Sequence, residues 1–128
     1  MEGTPVDPSP GPRGPGFKRV ARSPVAVGRD GWEGQIVVKQ ERDPHSGQLC
    51  QFAVCFQVRR TGETEWQNSE RIDNSHGQEV HLHEYQSDGT SSKNSDKLPT
   101  EVRLDLDSAF RWAVKYIWTY DERIPTWL

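Results

Sequence analysis

Leu49-Cys50-Gln51-Phe52-Ala53-Val54-Cys55-Phe56-Gln57-Val58-Arg59-Arg60 is the stretch whose alternation decides the fold. Phe52, Val54, Phe56 and Val58 fall on one side of an extended chain, and Gln51, Ala53, Cys55, Gln57 and Arg59 fall on the other. That period of two is the signature of a strand with one face against a core. Working outward, Gln35-Ile36-Val37-Val38-Lys39-Gln40 reads as a preceding strand, and Asp43-Pro44-His45-Ser46-Gly47 supplies the turn between the two. On the other side Thr61-Gly62-Glu63 turns the chain, Trp66 to Asp73 gives a third strand and Val80 to Tyr85 a fourth. Connections this short join antiparallel neighbours, so a meander is expected.

Beyond the meander, Gln86 to Asp96 is polar throughout and reads as a loop, mobile and placed directly after the histidines. Val102, Leu104 and Leu106 alternate with Arg103 and Asp105, which predicts a short fifth strand or an extended lead-in after Pro99. Phe110, Ala113, Val114, Ile117 and Tyr120 then recur at helical spacing, with Asp107 placed to cap the first turn and Pro125 to end the run. The expected fold class is therefore α+β: a four- or five-stranded, mainly antiparallel sheet with one C-terminal helix packed on one face. Phe52, Val54, Phe56, Ile72, Val80 and Leu82 would meet that helix, and the opposite face would stay open, available to a ligand or to a second copy of the chain in a homo-oligomer.

Residues 1–30 differ in kind. Pro5, Pro8, Pro10, Pro12, Pro15 and Pro24 interrupt backbone hydrogen bonding among glycines and serines, so a disordered Pro/Gly-rich tail is expected there, ahead of a single domain over 31–128. Apolar residues make up 32% of the 128, and the mean hydropathy is -0.88. Such a core must lean on its aromatics, including five tryptophans. No apolar run reaches the roughly 18 residues a membrane span needs. The start shows no charged region followed by an apolar stretch and a cleavage site, so a cytoplasmic protein is expected. The formal net charge of -3 gives no generic electrostatic case for nucleic acid. Cys50 and Cys55, five positions apart on one strand, point to opposite faces and read as buried thiols rather than a disulfide. Phosphate loops, dinucleotide fingerprints, nucleophile elbows, zinc-ribbon spacings and internal repeats are all missing.

The chemistry concentrates in Glu70-Arg71-Ile72-Asp73-Asn74-Ser75-His76-Gly77-Gln78-Glu79-Val80-His81-Leu82-His83-Glu84-Tyr85, which holds three of the four histidines. If Ile72, Val80 and Leu82 face the core, Arg71 and Asp73 come out beside His81, His83 and Tyr85, with His76 at the rim. Three chemistries fit that set. In general acid–base catalysis two imidazoles move protons, Arg71 stabilises developing negative charge and Tyr85 donates. In metal binding His81 and His83, roughly 7 Å apart at i and i+2 on one face, share a zinc ion with His76 or Asp73. In plain binding the rings stack on or hydrogen-bond a partner. The bland alternative is an exposed amphipathic strand, with Asp73 and Asn74 serving only the turn. His45, in a Pro-Gly turn, reads as a surface residue.

The motif Arg71-Ile72-Asp73-Asn74-Ser75-His76-Gly77 followed by His81-Leu82-His83, between a sheet and a closing helix, resembles small bacterial proteins of uncharacterised families. Some of these are linked to toxin–antitoxin pairs, such as the TumE-like toxins. The similarity spans about Gly31 to Asp121; those toxins carry adjacent histidines before the last one, where Val80 and Leu82 intervene here. The resemblance implies cleavage of RNA to arrest growth, restrained by a cognate antitoxin, with Arg71, Asp73, His76, His81 and His83 as the positions carried over.

Overall fold

The computed structural model describes residues 17–75, 79–103 and 105–128, the side chains of Phe17, Ser95, Glu101 and Arg103 excepted. Six strands form one antiparallel meander in chain order: β1 (Phe17–Val25), β2 (Trp32–Arg42), β3 (Leu49–Arg60), β4 (Gln67–Asp73), β5 (His81–Tyr85) and β6 (Ser91–Lys93). One helix, α1 (Leu106–Trp118), follows. The chain is thus α+β with a C-terminal helix, and the sheet has six strands rather than four or five.

Both additional strands lie at the sheet edges. β1 pairs with β2 along its whole length, from Phe17 opposite Arg42 to Val25 opposite Gly34. The folded part therefore begins by Phe17, not near Gly31, and the rest of the expected tail, residues 1–16, lies outside the described residues. Pro24 is compatible with this strand because an edge leaves one row of backbone groups without a ladder partner. β6 forms inside the polar segment read as a loop, with His83 opposite Lys93 and Tyr85 opposite Ser91. The expected fifth strand over Val102–Leu106 is instead a 3-10 turn, Thr100–Arg103, leading into α1.

The turns follow local chemistry. Asp43 Oδ1 accepts from the backbone N–H groups of His45 and Ser46, at 2.8 and 2.9 Å, and Gly47 adopts φ of 74° to close the loop. At the start of α1 the N-cap is Asp105, not Asp107, and Ser108 Oγ donates to Asp105 Oδ2 at 2.6 Å. Asp107 sits in the first turn, where a carboxylate suits the helix dipole.

Ala109, Ala113 and Ile117 are buried on the sheet side of α1, against a core containing Ile36, Phe52, Val54, Phe56, Val58, Ile72, Val80 and Leu82. The helix thus covers the face expected of it. Phe52 meets Phe110 with ring centroids 5.3 Å apart, and Phe56 meets Tyr120 at 4.8 Å. Beyond α1 the chain stays on this face: Trp127 lies edge-on to Trp32, and its indole N–H donates to the Tyr85 carbonyl at 3.3 Å. Glu70 stands opposite Phe56 on the helix side, and just beyond this pair a bulge shifts the register so that Gln57 meets Asn68. On the other face Val37, Ala53 and Cys55 form a small buried floor. Cys55 is the buried thiol that was expected, whereas Cys50 is exposed. His45 is exposed too. No helix among the described residues is long and apolar enough to cross a membrane.

Candidate functional site

The register of β4 and β5 decides what the histidines meet. Arg71 stands opposite His83 and Asp73 opposite His81, so these four side chains and Tyr85 share the face away from α1. Arg71, Asp73, Ser75, His81, His83, Tyr85, Ser91 and Lys93 line a depression of about 360 Å³. Five of the six residues expected at the site are therefore brought together. The sixth, His76, lies outside the described residues.

Asp73 is the hub. Its Oδ2 accepts from Arg71 Nε at 2.6 Å and from Ser75 Oγ at 2.8 Å, while Oδ1 lies 3.6 Å from His83 Nε2. Arg71 Nη2 also donates to Ser75 Oγ at 3.2 Å, closing a three-membered network. A guanidinium has five N–H donors, so these two bonds still let Arg71 face the depression. The rings of β5 run in a row: His81 and His83 have centroids 6.1 Å apart, and His83 and Tyr85 6.4 Å. His81 makes a further interaction of its own.

The electrostatics differentiate the members. Burial pushes the His83 imidazole below its ordinary range; the Asp73 carboxylate pulls the other way, and His81, Lys93 and Arg71 add to the lowering. His83 is thus biased toward the neutral, proton-accepting form. Burial works against the Arg71 guanidinium, yet Asp73 beside it leaves it more firmly protonated than usual. Burial raises the Tyr85 phenol, with Arg71 opposing, so Tyr85 keeps its proton and remains a donor. Burial likewise raises the Cys55 thiol beneath Arg71.

Ser75 and Lys93 were not anticipated as members of this site. Ser75 carried a signal, since it lies inside the Asp-Asn-Ser-His turn two residues after Asp73. Lys93 comes to it through β6, which sets it opposite His83. Arg59 is on the same face but at its far end, held by Glu33 at 3.1 Å. Arg60 is opposite Trp32 and stacks on its ring at 4.8 Å, on the helix side. Asn74, read as a turn residue, holds β3: its side chain accepts from Phe52 N at 2.8 Å and donates to Cys50 O at 3.2 Å. Among the described residues no three of His, Cys, Asp and Glu stand together as metal ligands. Of the two third ligands expected for zinc, Asp73 completes no such group with His81 and His83, and His76 lies outside the described residues.

Comparison of the chain with protein-family models, with curated proteins and with solved structures found no match.

Proposed function

We propose that the open face of the sheet cleaves RNA through the 2′-hydroxyl, as a toxin-like ribonuclease that needs no metal and is restrained by an antitoxin protein. The observation that carries this reading is the placement of His81 and His83 side by side on β5, above an Asp73 that touches His83 and an Arg71 locked to Asp73. His83, biased toward neutrality, takes the proton of the 2′-hydroxyl as its oxygen attacks phosphorus. The P–O5′ bond breaks, and His81 as imidazolium gives the departing 5′-oxygen its proton. The products are a 2′,3′-cyclic phosphate and a 5′-hydroxyl. Arg71 and Lys93 stand where the phosphorane charge develops, and Asp73 holds His83 in orientation and supports its imidazolium after the transfer.

A second reading, a non-enzymatic interaction module, is favoured by a different feature. Asp73, Arg71 and Ser75 satisfy one another, so the network can also serve as a rigid exposed patch.

The deciding experiment incubates purified protein with single-stranded RNA in EDTA and maps the ends. The wild type is expected to leave 2′,3′-cyclic phosphates, and His81→Ala/His83→Ala to lose at least ~100-fold in rate, the lower end of what acid–base catalysis supplies. Induced in a bacterial host, the wild type should arrest growth and the double variant should not. Intact RNA and unimpaired growth at full expression would leave the interaction module as the better account.

A further inference from the structure

Charge is distributed unevenly between the two faces. Read from the strand registers, the face away from α1 carries Lys18, Arg22, Lys39, Arg59, Arg71 and Lys93 against Glu33, Glu41 and Asp73. That is an excess of three cations on one face of a chain whose net charge is -3. All three carboxylates are already matched: Glu33 with Arg59, Glu41 with Lys18 at 3.9 Å, and Asp73 with Arg71. A concentrated positive field on an otherwise acidic protein marks the footprint of a polyanion.

The excess is not spread evenly over that face. A second depression of about 180 Å³ adjoins the histidine cleft, and Lys18, Val20, Lys39, Glu41, Arg71 and Ser75 are among the residues that line it. Arg71 and Ser75 line both depressions, so they form the ridge between them. Strands lie about 4.8 Å apart, which puts β3, under the second depression, about 10 Å from β5 and its histidines. Lys18 and Lys39 are exposed, and both belong to the β1–β2 pair that sits beside the site rather than in it. On the opposite side of the cleft, Trp66 and Tyr85 line a common shallow hollow, with the Arg59 guanidinium over the Trp66 ring at 4.1 Å. Aromatic faces there can stack on unpaired bases, which a duplex does not present.

We propose that the β1–β2 depression is a phosphate subsite, in which Lys18, Lys39 and the far side of Arg71 hold the backbone of a single-stranded RNA whose scissile linkage lies in the histidine cleft. This rests on the reading that RNA occupies the open face, and it adds that the strand crosses the sheet from β1 toward Tyr85 and Trp66. Recognition is of backbone charge, so little sequence preference comes from this subsite. Glu41 releases Lys18 when a phosphate replaces it as partner.

The test is fluorescence anisotropy with a labelled single-stranded 2′-O-methyl RNA, which lacks the attacking hydroxyl and so reports binding without cleavage. Lys18→Gln/Lys39→Gln is expected to weaken binding at least ~10-fold and to reduce the salt dependence by ~1.4, two contacts at ~0.7 each for a single strand. Arg111→Gln/Lys115→Gln, which removes the same charge from the exposed face of α1, should leave affinity within about twofold. Circular dichroism and melting of both double variants confirm that each is folded. Equal losses in the two variants, unchanged affinity in the first, no binding by the wild type, or tighter binding of a duplex would each overturn the subsite. Failure of the cleavage reading looks different: the oligonucleotide binds in a Lys18- and Lys39-dependent way, yet unmodified RNA stays intact. If an acidic protein rather than RNA proves to compete for this face, the subsite assignment also falls.

Discussion

Asp73 Oδ1 lies 3.6 Å from His83 Nε2 while Arg71 and Ser75 hold its other oxygen, so one carboxylate couples the β4 cation to the β5 imidazole. Removing that charge while keeping the shape is the sharpest perturbation of the site. In Asp73→Asn the carboxylate charge that raises the His83 titration is lost, while burial, His81, Lys93 and Arg71 still lower it. The His83 midpoint, followed by NMR through its ring protons, is expected to fall below that of the wild type. RNA cleavage should fall with it by ~10-fold or more, because the imidazolium formed after proton transfer has lost its counter-charge. A midpoint that rises would show that Asp73 does not act on His83 electrostatically.

The same group sets a pH dependence of stability. His83 titrates lower in the folded chain than an ordinary imidazole at 6.5. The unfolded chain therefore binds the extra proton first as pH falls through that value, and folding loses stability on the acid side. Above about pH 7.5 this contribution is constant. Comparing wild type with His83→Gln in denaturant titrations, the wild type is expected to lose more stability than the variant between pH 7.5 and pH 5. Parallel pH curves for the two proteins would contradict a half-buried, proton-resisting His83.

On the other face Arg123 grips Glu70 through two bonds, Nε to Oε2 at 2.6 Å and Nη2 to Oε1 at 3.0 Å, and also donates to the Tyr116 carbonyl at 2.7 Å. The Glu70 side chain is only 5% exposed. Removing one partner leaves a buried charge uncompensated, so Arg123→Ala should cost about 3–5 kcal/mol in urea unfolding. Arg123→Met/Glu70→Leu removes both charges and is expected to recover most of the loss. This variant separates the ion pair from the packing of the C-terminal turn.

A fourth expectation concerns β1. A Cβ on Gly34 would meet Val27 Cγ1 at 2.7 Å and the Val25 side chain and carbonyl at 3.2 Å each, so an added methyl pushes against the end of β1. Gly34→Ala should destabilise the protein by about 1–3 kcal/mol, as overpacking does. The backbone amides that tie β1 to β2 are expected to exchange with deuterium faster in the variant, while those of β3 and β4 lose protection only in proportion to global stability. Equal loss across all strands would show that β1 is not a separately detachable edge.

Side-chain alternation along β3, β4 and β5 was enough to read the antiparallel meander, the apolar face that α1 covers, and the convergence of Arg71, Asp73, His81, His83 and Tyr85 on the other face. Those features are local, because a period of two fixes which side each residue takes once any one of them is buried. Edge strands escape such a reading. β1 carries Lys18, Arg19, Arg22 and Pro24 in its nine residues, and β6 is only Ser91–Lys93. Each is held by backbone bonds to a neighbour already in place, and backbone bonding leaves no mark in the side-chain pattern. Alternation alone also misleads: Val102 and Arg103, read as part of a strand or an extended lead-in, belong to the 3-10 turn Thr100–Arg103, and Leu106 opens α1. The bulge at Phe56/Gln57, the contact of Asp73 with both Arg71 and His83, and the arrival of Lys18, Lys39 and Lys93 around the site depend on register across distant segments. Which residues share a face was legible in the alternation of the chain, whereas their distances follow from pairing and packing that no single segment encodes.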